Sequence, residues 1–549
     1  MNDSDLNLQN QGKQEYRSLA KNSFYSAISI YLVIFYSLAL SFLMARLISI
    51  EEWGIYILAN SYIFIVVQIS RTFPPSLWMT LNYFLPKYYV LEKKSKFKSF
   101  IKKSLILKLM FLIPLIILSV SLFTFLSYLF SPSLNGHIIL LLILSPLIFI
   151  DAINIIFQSI NRGFNNFKLN VLMFLLRFAL NVCLLILFFF LNYNVTIEII
   201  GVINVVSYLI PFIINLMVLL KYFYKLDNTE EDNLTYREVL KLSLHYGAPL
   251  IVNNFIGNFW IQAQQIGIGN LETKSEVTGF TNAISYSKVA NSFSMSLNNP
   301  LVNSFTRIYN KDKFERIKWI YNFTVKYSLL ISSFISGILF LSADFYLVLI
   351  YGENYLIFSP FFKLLIITVV FRILYAPLNS LISSKDKTKL LAPIQLIKLI
   401  VEAILFFGAL IYFDTTIAIM TIIVAEIFGF LFYCYLSTKI GKLKLDIIPL
   451  FFQYLIFFSS LSIAVFINDI FISNLYKNII NTLNLDLLIR LPIFTILIFT
   501  VLFLALNILS KILVKKDLED IQNLLNKEQG IEKVLYKMLS FLKKITYYD

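Results

Sequence analysis

Ionisable side chains inside long apolar stretches are the residues of this sequence most suited to chemistry. Lys288 lies about thirteen residues into one such stretch, roughly 20 Å along a helix. Arg71 and Arg372 lie inside two others. A charge in hydrocarbon costs about 2.5–3.5 kcal/mol, so each needs a function or a partner. Because ammonium and guanidinium groups bind phosphate oxygens, we predict that all three contact a phosphate-bearing headgroup. The alternatives are a structural ion pair for Lys288 and extension of Arg71 to the membrane interface.

Acidic residues in the same setting are candidates for proton coupling. Asp151 is the one we favour, because an apolar environment stabilises the protonated form of a carboxyl group. It lies at the same depth as Arg372, so a static ion pair is the alternative, either between these two or within each half of the chain. Glu402 follows Lys398 by four positions, which predicts a pair on one helix face. Glu426 has no partner that the sequence identifies.

Two consecutive apolar segments in residues 244–300 carry an unusual number of amide and hydroxyl side chains. Polar groups that face lipid are costly unless paired, and helices of this kind usually face a bundle interior or a hydrated cavity. The residues follow helical spacing, so each helix presents one polar stripe. The alternative is that the stripes hold helices together. The predicted cavity-lining residues are Asn254, Asn258, Gln262, Gln265, Asn282, Ser285 and Ser292.

Long apolar segments dominate the chain, which has 549 residues and is 58% hydrophobic and 14% charged. Many of these segments exceed the roughly 18 residues that span a bilayer. The sequence therefore predicts an all-α polytopic membrane protein with fourteen transmembrane helices. The predicted spans are approximately 22–48, 53–85, 104–130, 138–160, 169–191, 196–220, 244–268, 277–306, 321–342, 358–382, 391–412, 415–437, 447–467 and 489–510.

Lysines and arginines outside these spans are distributed unequally between the two sides. One side has only Lys274 and Lys477, and nearly all the others fall in the remaining loops and the two termini. Cytoplasmic segments of membrane proteins are enriched in basic residues. We therefore predict a multi-pass protein of the cell (plasma or inner) membrane with both termini in the cytoplasm. The net charge of +15 is then a topology signal, and no nucleic-acid partner is expected.

Several function classes lack the residues they need. Cys183 and Cys434 lie far apart inside predicted spans, so no disulfide is expected. Two histidines and scattered acids give no metal-ligand spacing, and we predict neither a metal nor a cofactor. No combination of nucleophile and base stands out, so no catalytic residue is assigned and the protein is not expected to be an enzyme.

An internal repeat divides the chain. An offset of 225 residues aligns Gly54 with Gly279 and Pro75 with Pro300, and an offset of 221 aligns Asp151 with Arg372. Each copy contains six spans, an even number, so the copies share one topology and form a parallel repeat of two six-helix lobes. The predicted divisions are an N-terminal lobe at residues 1–220, a C-terminal lobe at 221–440, two appended helices at 441–510 and a cytoplasmic amphipathic tail at 511–549.

Four stretches carry a resemblance to a known family. They are FLMARLISIEEWGIYILA, QSINRGFNNFKLNVLMFLLRFALNVCLL, LKLSLHYGAPLIVNN and LIYGENYLIFSPFFKLLI. In order and spacing they look like the polysaccharide-transporter branch of the multidrug/oligosaccharidyl-lipid/polysaccharide flippase superfamily. The resemblance implies a pair of six-helix lobes that moves polyprenyl-linked oligosaccharides outward. Lipid II flippases of that superfamily cluster several arginines on the first two spans, whereas Arg46 and Arg71 are far apart here.

Three functions compete at this stage. The favoured one is a flippase that translocates a polyprenyl-(pyro)phosphate-linked oligosaccharide or polysaccharide precursor from the cytoplasmic to the outer leaflet by alternating access. A cation-coupled exporter of drugs or small molecules with the same fold is the alternative. A membrane glycan polymerase or glycosyltransferase fits less well, because no large outer loop or acidic cluster is evident. The expected partners are the lipid-linked glycan, the bilayer and glycan-assembly enzymes, and the protein is expected to be a monomer.

Overall fold

The computed structural model describes most of the chain. The described residues are 32–33, 35–74, 77–90, 94–130, 136–164, 166–191, 195–224, 234–296, 301, 305, 314–384, 390–439, 447–468, 470, 492–512 and 540. Contacts group them into two compact units. The first comprises the described residues of Met1–Ser292 and Lys385–Ala425, and the second those of Phe293–Ser384 and Glu426–Asp549. The division into lobes at residues 220, 440 and 510 stays a prediction.

The first unit is a set of packed helices. They are α1 (Phe35–Leu47), α2 (Ile50–Thr72), α3 (Leu77–Val90), α4 (Lys94–Phe130), α5 (Ile138–Leu144), α6 (Pro146–Gly163), α7 (Phe167–Phe190), α8 (Ile197–Tyr224), α9 (Tyr236–Leu242), α10 (Ala248–Leu271) and α11 (Lys274–Ser296). A π-helical turn, Ser243–Gly247, joins α9 to α10. The unit also contains α16 (Leu391–Tyr412) and the first part of α17 (Thr415–Lys439).

The second unit is also helical. It contains α12 (Phe314–Leu341), α13 (Ala343–Ile350), α14 (Ser359–Phe371), α15 (Tyr375–Ser384), the second part of α17, α18 (Ile447–Ile467) and α19 (Ile493–Leu509). Short 3₁₀ segments, Glu353–Phe358 and Arg372–Leu374, flank α14. Its core is aromatic. Phe499 stacks on Phe503 and fills the space beside Gly337, where any side chain on α12 would collide with the ring.

Every predicted span coincides with helix among the described residues. Nine helical stretches within the described ranges are long and apolar enough to cross a membrane, and α1 and α19 are shorter apolar helices. The predicted all-α polytopic membrane fold is therefore confirmed. The second span was predicted as one helix over 53–85, but α2 ends at Thr72 and α3 begins at Leu77. The reason is Pro74, which has no N–H for the helical ladder.

Small and hydroxyl residues let α2 pack closely against α10 and α11. Gly54 faces the first turn of α11, where a methyl group would lie 1.9 Å from the backbone oxygen of Lys274. The hydroxyl of Thr278 donates to the backbone oxygen of Ile50 at 2.9 Å. Gln265 of α10 accepts from the Ser61 hydroxyl at 2.7 Å. Such close approaches are typical of helices packed in lipid. The hydrophobic effect does not drive helices together there, and small residues allow van der Waals contact between backbones instead.

Candidate functional site: a cationic cavity in the first unit

A cavity of about 300 Å³ lies within the first unit. Residues of α2, α3, α6, α7 and α8 line it, so five helices that are distant in sequence converge there. Its lining is mostly polar. The residues are Arg71, Trp78, Asp151, Asn154, Ile155, Gln158, Arg162, Asn170, Met173, Phe174, Arg177, Tyr208 and Pro211.

An ion pair forms one wall of the cavity. Arg71, in the last turn of α2, binds Asp151 of α6 through two parallel hydrogen bonds. The Nε donates to Oδ2 at 2.6 Å and the Nη2 to Oδ1 at 2.9 Å. The side chains are 28% and 11% exposed, so the pair is partly open to the cavity. This two-pronged geometry fixes both groups and offsets most of the cost of holding a carboxylate in the membrane.

Lys108 of α4 secures the end of α2 behind that wall. Its side chain is buried, and its ammonium group donates to the backbone oxygens of Ser70 and Phe73. The last carbonyls of a helix have no partner within the helix and carry partial negative charge. The lysine satisfies them and so stabilises the helix end that presents Arg71.

Arg177 of α7 provides a further cation in the lining of the cavity. Its guanidinium carbon lies 3.4 Å from the centre of the Tyr208 ring, in a cation–π contact between α7 and α8. Its Nε is buried and has no hydrogen-bond partner among the described residues. Stacking on an aromatic ring leaves the planar N–H groups of arginine available for an oxyanion.

Amide side chains complete the polar surface. Asn161 donates to the side-chain oxygens of Asn170 at 2.9 Å and Asn215 at 3.2 Å. Asn215 in turn donates to Asn154 at 3.1 Å, and Asn170 donates to the backbone oxygen of Gln158 at 3.1 Å. The network holds α6, α7 and α8 together and orients the amides of Asn154 and Asn170 towards the cavity.

The electrostatic balance of the cavity is positive. Three arginines and one carboxylate line it, namely Arg71, Arg162, Arg177 and Asp151, which gives a formal excess of two positive charges. Interactions between charges are strengthened where water is scarce. The arrangement is therefore suited to binding an anion with several oxygens, such as a phosphate, and it disfavours an organic cation.

Two of the predicted charged residues meet at this cavity, and a third is elsewhere. Arg71 and Asp151 bind each other, whereas Arg372 donates from its Nε to Glu426 at 2.8 Å in the second unit. Asp151 and Arg372 are thus each paired within their own unit, which was one of the two alternatives for an ion pair. Glu426, for which no partner was predicted, also accepts a hydrogen bond from Tyr375.

The stripe residues are divided between helix contacts and open positions. Gln265 is buried between helices and donates to the Thr281 hydroxyl at 2.8 Å. Asn282 is buried, and its amide nitrogen has no hydrogen-bond partner among the described residues. Ser292 donates to its own helix, to the backbone oxygen of Val289. The Oε1 of Gln262 is likewise buried without a partner among described residues, and Ser285 is half-buried. The side chains of Asn254 and Asn258 lie outside the described residues.

Lys288 is exposed on α11, and within the described part of the chain its ammonium group has no ion pair or hydrogen bond. It is not among the residues that line the 300 Å³ cavity, and neither are the stripe residues. Their predicted contact with a substrate stays a prediction.

Glu402 accepts a hydrogen bond from the Trp260 indole at 2.7 Å and one from Gln264 at 3.4 Å. The carboxylate is buried, so these donors from α10 stabilise its position on α16. Its predicted pair with Lys398 stays a prediction.

Several cavity residues were missed by reasoning from the sequence, although a signal was present. Asp151, Asn154, Gln158 and Arg162 follow one another at intervals of three and four in α6, and therefore share one helix face. Attention to isolated charges singled out Asp151 alone. Lys108 was absorbed into a predicted span and not considered.

Comparisons with known proteins concern the fold. No protein-family model and no curated protein matches the sequence. An inward-facing multidrug resistance MATE family transporter of the MOP superfamily matches with a TM-score of 0.59 and 17% identity, over 76% of this chain and 99% of that one. MATE in a straight conformation matches with a TM-score of 0.57 and 15% identity, over 78% of this chain and 96% of that one. A MOP superfamily transporter from Pyrococcus furiosus matches with a TM-score of 0.57 and 16% identity, over 78% of this chain and 96% of that one. Its binding pocket is described as having reverse polarity, which suggests a different function.

These likenesses define the class. The chain is a polytopic helical membrane protein with the fold of MATE transporters of the MOP superfamily.

Proposed function

We propose that this protein is a flippase that moves a polyprenyl-(pyro)phosphate-linked oligosaccharide from the cytoplasmic to the outer leaflet by alternating access. The observation that carries the proposal is the cationic cavity, which is lined by three arginines and one carboxylate and lies among apolar helices. A cavity of that charge binds an anionic headgroup and repels the cations that many drug exporters carry. The fold, shared with MOP superfamily transporters, supports the transport part of the proposal.

Each part of the cavity has a role in this function. Arg177 and Arg162 bind phosphate oxygens, because their guanidinium groups form paired hydrogen bonds with oxyanions. The amides of Asn154 and Asn170 supply the hydrogen bonds that sugars need, and the ring of Trp78 supplies a flat apolar surface. The prenyl chain stays in the bilayer, outside a cavity of only about 300 Å³.

Asp151 couples the cavity to protons in this proposal. Protonation removes the negative charge that holds Arg71 through two hydrogen bonds. Arg71 is then free to bind the headgroup, and deprotonation after transport restores the pair and expels the anion. The static ion pair is the alternative, in which Arg71 never contacts substrate.

The second candidate is a cation-coupled exporter of small molecules. Multidrug resistance is what one structural neighbour is described as providing. In this chain, Trp78, Phe174 and Tyr208 give the cavity an aromatic component, and Asp151 gives it one acid. The reverse polarity described for the transporter from Pyrococcus furiosus is a precedent for a different cargo on the same fold.

Transport by reconstituted protein tests the proposal. Proteoliposomes would contain a fluorescent polyprenyl-diphosphate oligosaccharide, and the fraction of headgroups reaching the opposite leaflet would be followed by a membrane-impermeant quencher. Removing one charged contact costs about 1.5–3 kcal/mol, so we expect Arg177→Gln and Arg162→Gln each to weaken headgroup binding roughly ten- to a hundredfold. Arg237→Gln, on the exposed face of α9, is the matched control and should transport normally. Full transport by well-folded Arg177→Gln and Arg162→Gln would refute the cavity as the headgroup site.

Asp151→Asn separates the two candidate functions. It raises the formal charge excess of the cavity from two to three, so a flippase should bind the phosphate headgroup more tightly, while pH-driven transport stops. An exporter of organic cations should lose affinity for its cargo instead. Binding of both ligand classes to the same purified variant is the measurement.

Lys288→Gln examines the other predicted cation. Because Lys288 is exposed and lacks a partner among the described residues, its loss should leave folding intact. A fall in transport per monodisperse molecule supports a headgroup contact on α11, and normal transport excludes one.

The proposal further includes a monomer in the plasma membrane with both termini in the cytoplasm. Enzymes that assemble the glycan would supply its substrate.

A further inference from the structure

A second cavity, of about 540 Å³, lies in the second unit. It is formed near one end of three helices: by the second to fourth turns of α12, the first two turns of α18 and the residues just after α19. The distribution of basic residues predicts that all three ends face the cytoplasm. Because the three helix ends line one cavity, they lie on the same side of the membrane, as this prediction requires.

The lining of this cavity combines cationic and aromatic side chains. Lys318, Lys326 and Lys511 contribute ammonium groups, and no acidic residue is among the lining residues that the structure describes. Lys318 and Lys326 are eight positions apart on α12, so they lie on one face about 12 Å apart along the axis. Trp319, Phe323 and Phe452 lie beside them, and Trp319 and Phe452 are about half exposed.

Lys511 has a backbone conformation that favours glycine. Its φ is +57°, and it follows α19 in a Schellman turn, in which the Ile512 N–H donates to Asn507 and the Lys511 N–H to Ile508. A residue with a Cβ is disfavoured at this position. A lysine here adds a positive charge to the cavity although glycine would form the turn more readily.

The start of α18 adds a backbone donor. Ile448, Pro449 and Leu450 line the cavity in the first turn of that helix, where the dipole is positive. The backbone N–H group of Ile448 has no partner within the helix, whereas Pro449 has no N–H. These features match the two parts of a phospholipid. The lysines and the helix start suit the headgroup, and the half-exposed aromatic rings at the ends of the membrane helices suit the chains. The phosphate is an anion and the acyl chains are apolar.

We propose that this cavity binds the phosphodiester headgroup of an anionic phospholipid from the cytoplasmic leaflet, with the acyl chains packed along Trp319, Phe452 and Ile448. The three lysines give the cavity the positive charge that favours the phosphate. The site lies in the second unit and does not depend on the function proposed for the cavity of the first unit.

Lipid binding to the full-length protein tests the site. Delipidated protein in neutral detergent would receive equimolar phosphatidylglycerol and phosphatidylcholine, and bound lipid would be counted by native mass spectrometry. We expect phosphatidylglycerol to be preferred at least tenfold. The variant Lys318→Gln/Lys326→Gln/Lys511→Gly should lose roughly a hundredfold in affinity for it. The Lys511→Gly change alone should retain or raise the thermal midpoint, because glycine suits the turn.

The control removes the same charge elsewhere. Lys102→Gln/Lys221→Gln/Lys241→Gln takes three exposed lysines from the first unit and should leave lipid binding unchanged. Acyl chains brominated near the headgroup should quench the fluorescence of the wild type more than that of Trp319→Phe. Together these results would support the site.

Five outcomes would overturn it, four of them in lipid binding and one in crosslinking. The four are equal loss in the control variant, equal binding of phosphatidylcholine, binding of soluble glycerol phosphate as tight as that of the lipid, and displacement of phosphatidylglycerol by an equimolar polyprenyl phosphate. Quantitative disulfide formation between cysteines at Trp319 and at Leu535 of the tail would do so as well, since the tail would then occupy the cavity.

Discussion

Two ion pairs show how this chain keeps charges inside membrane helices. In Arg71–Asp151 and Arg372–Glu426 the arginine is about 30% exposed, whereas the carboxylates are 11% and 0% exposed. The acid is the more buried partner in each, so the arginine offsets its cost of desolvation. The difference lies in the surroundings. Arg71 faces a cavity with two further arginines, and Glu426 has Tyr375 as an additional donor.

The Glu426 pair is therefore expected to act mainly on stability. Glu426→Gln removes the charge that compensates Arg372 and should lower the free energy of unfolding by roughly 3–5 kcal/mol. The double variant Arg372→Met/Glu426→Leu should recover most of that loss, because no charge is then buried alone. Thermal unfolding in detergent measures both. If Arg372→Gln kept the stability of the wild type and lost headgroup binding, Arg372 would be a substrate contact, as the sequence suggested.

At the scale of elements, glycine and proline decide how the helices of the first unit meet. Pro74 separates α2 from α3, and Arg71 lies in the last turn before the break, at the cavity. At the other end of α2, Gly54 lets the backbone of α11 approach. One helix thus contributes a cavity-lining cation at one end and a close helix contact at the other. An alternating-access cycle requires that such a contact open and close.

Gly54→Ala should weaken that contact selectively. A methyl group 1.9 Å from the Lys274 oxygen cannot be accommodated without movement of one helix, at a cost of about 1–3 kcal/mol. Cysteines at Ile50 and Thr278 should crosslink readily in the parent and slowly in Gly54→Ala, with reduced transport. Gly408→Ala, where a methyl group would meet nothing within 4 Å, is the control. Unchanged crosslinking in Gly54→Ala would show that the contact tolerates separation.

For the whole molecule, the sidedness of the membrane remains the main expectation from the sequence. The basic loops predict cytoplasmic termini, and the second cavity collects three helix ends on that predicted side. The exposed residues Glu51 and Asp414 should then lie outside, at the turns between α1 and α2 and between α16 and α17.

Labelling in intact cells checks this orientation. Single cysteines at Glu51 and Asp414 should react with a membrane-impermeant maleimide, and those at Lys96 and Lys241 should react only after the cells are opened. Labelling of Lys241→Cys in sealed cells would reverse the predicted topology. It would also place the 540 Å³ cavity in the outer leaflet.

The sequence by itself determined the class of protein and the approximate position of each helix. Apolar runs of sufficient length are a local property, and a bilayer requires each of them to be a helix with its backbone hydrogen bonds satisfied. It also identified Arg71 and Asp151, because charges in such runs are rare. Helix ends were less accurate, since Pro74 and the 3₁₀ turn at Arg372–Leu374 interrupt spans that hydropathy averages over.

Only the tertiary structure decided which polar groups meet. Arg71, Asp151 and Arg177 come together because α2, α6, α7 and α8 are rotated so that one face of each points at a common space. Rotation depends on close packing between helices distant in sequence, as at Gly54. Only α6 shows its polar face clearly in the sequence, whereas polar and apolar residues are distributed more evenly around α2, α7 and α8. The same packing paired Glu426 with Arg372 and buried Gln265 between helices, which spacing along one helix could not reveal.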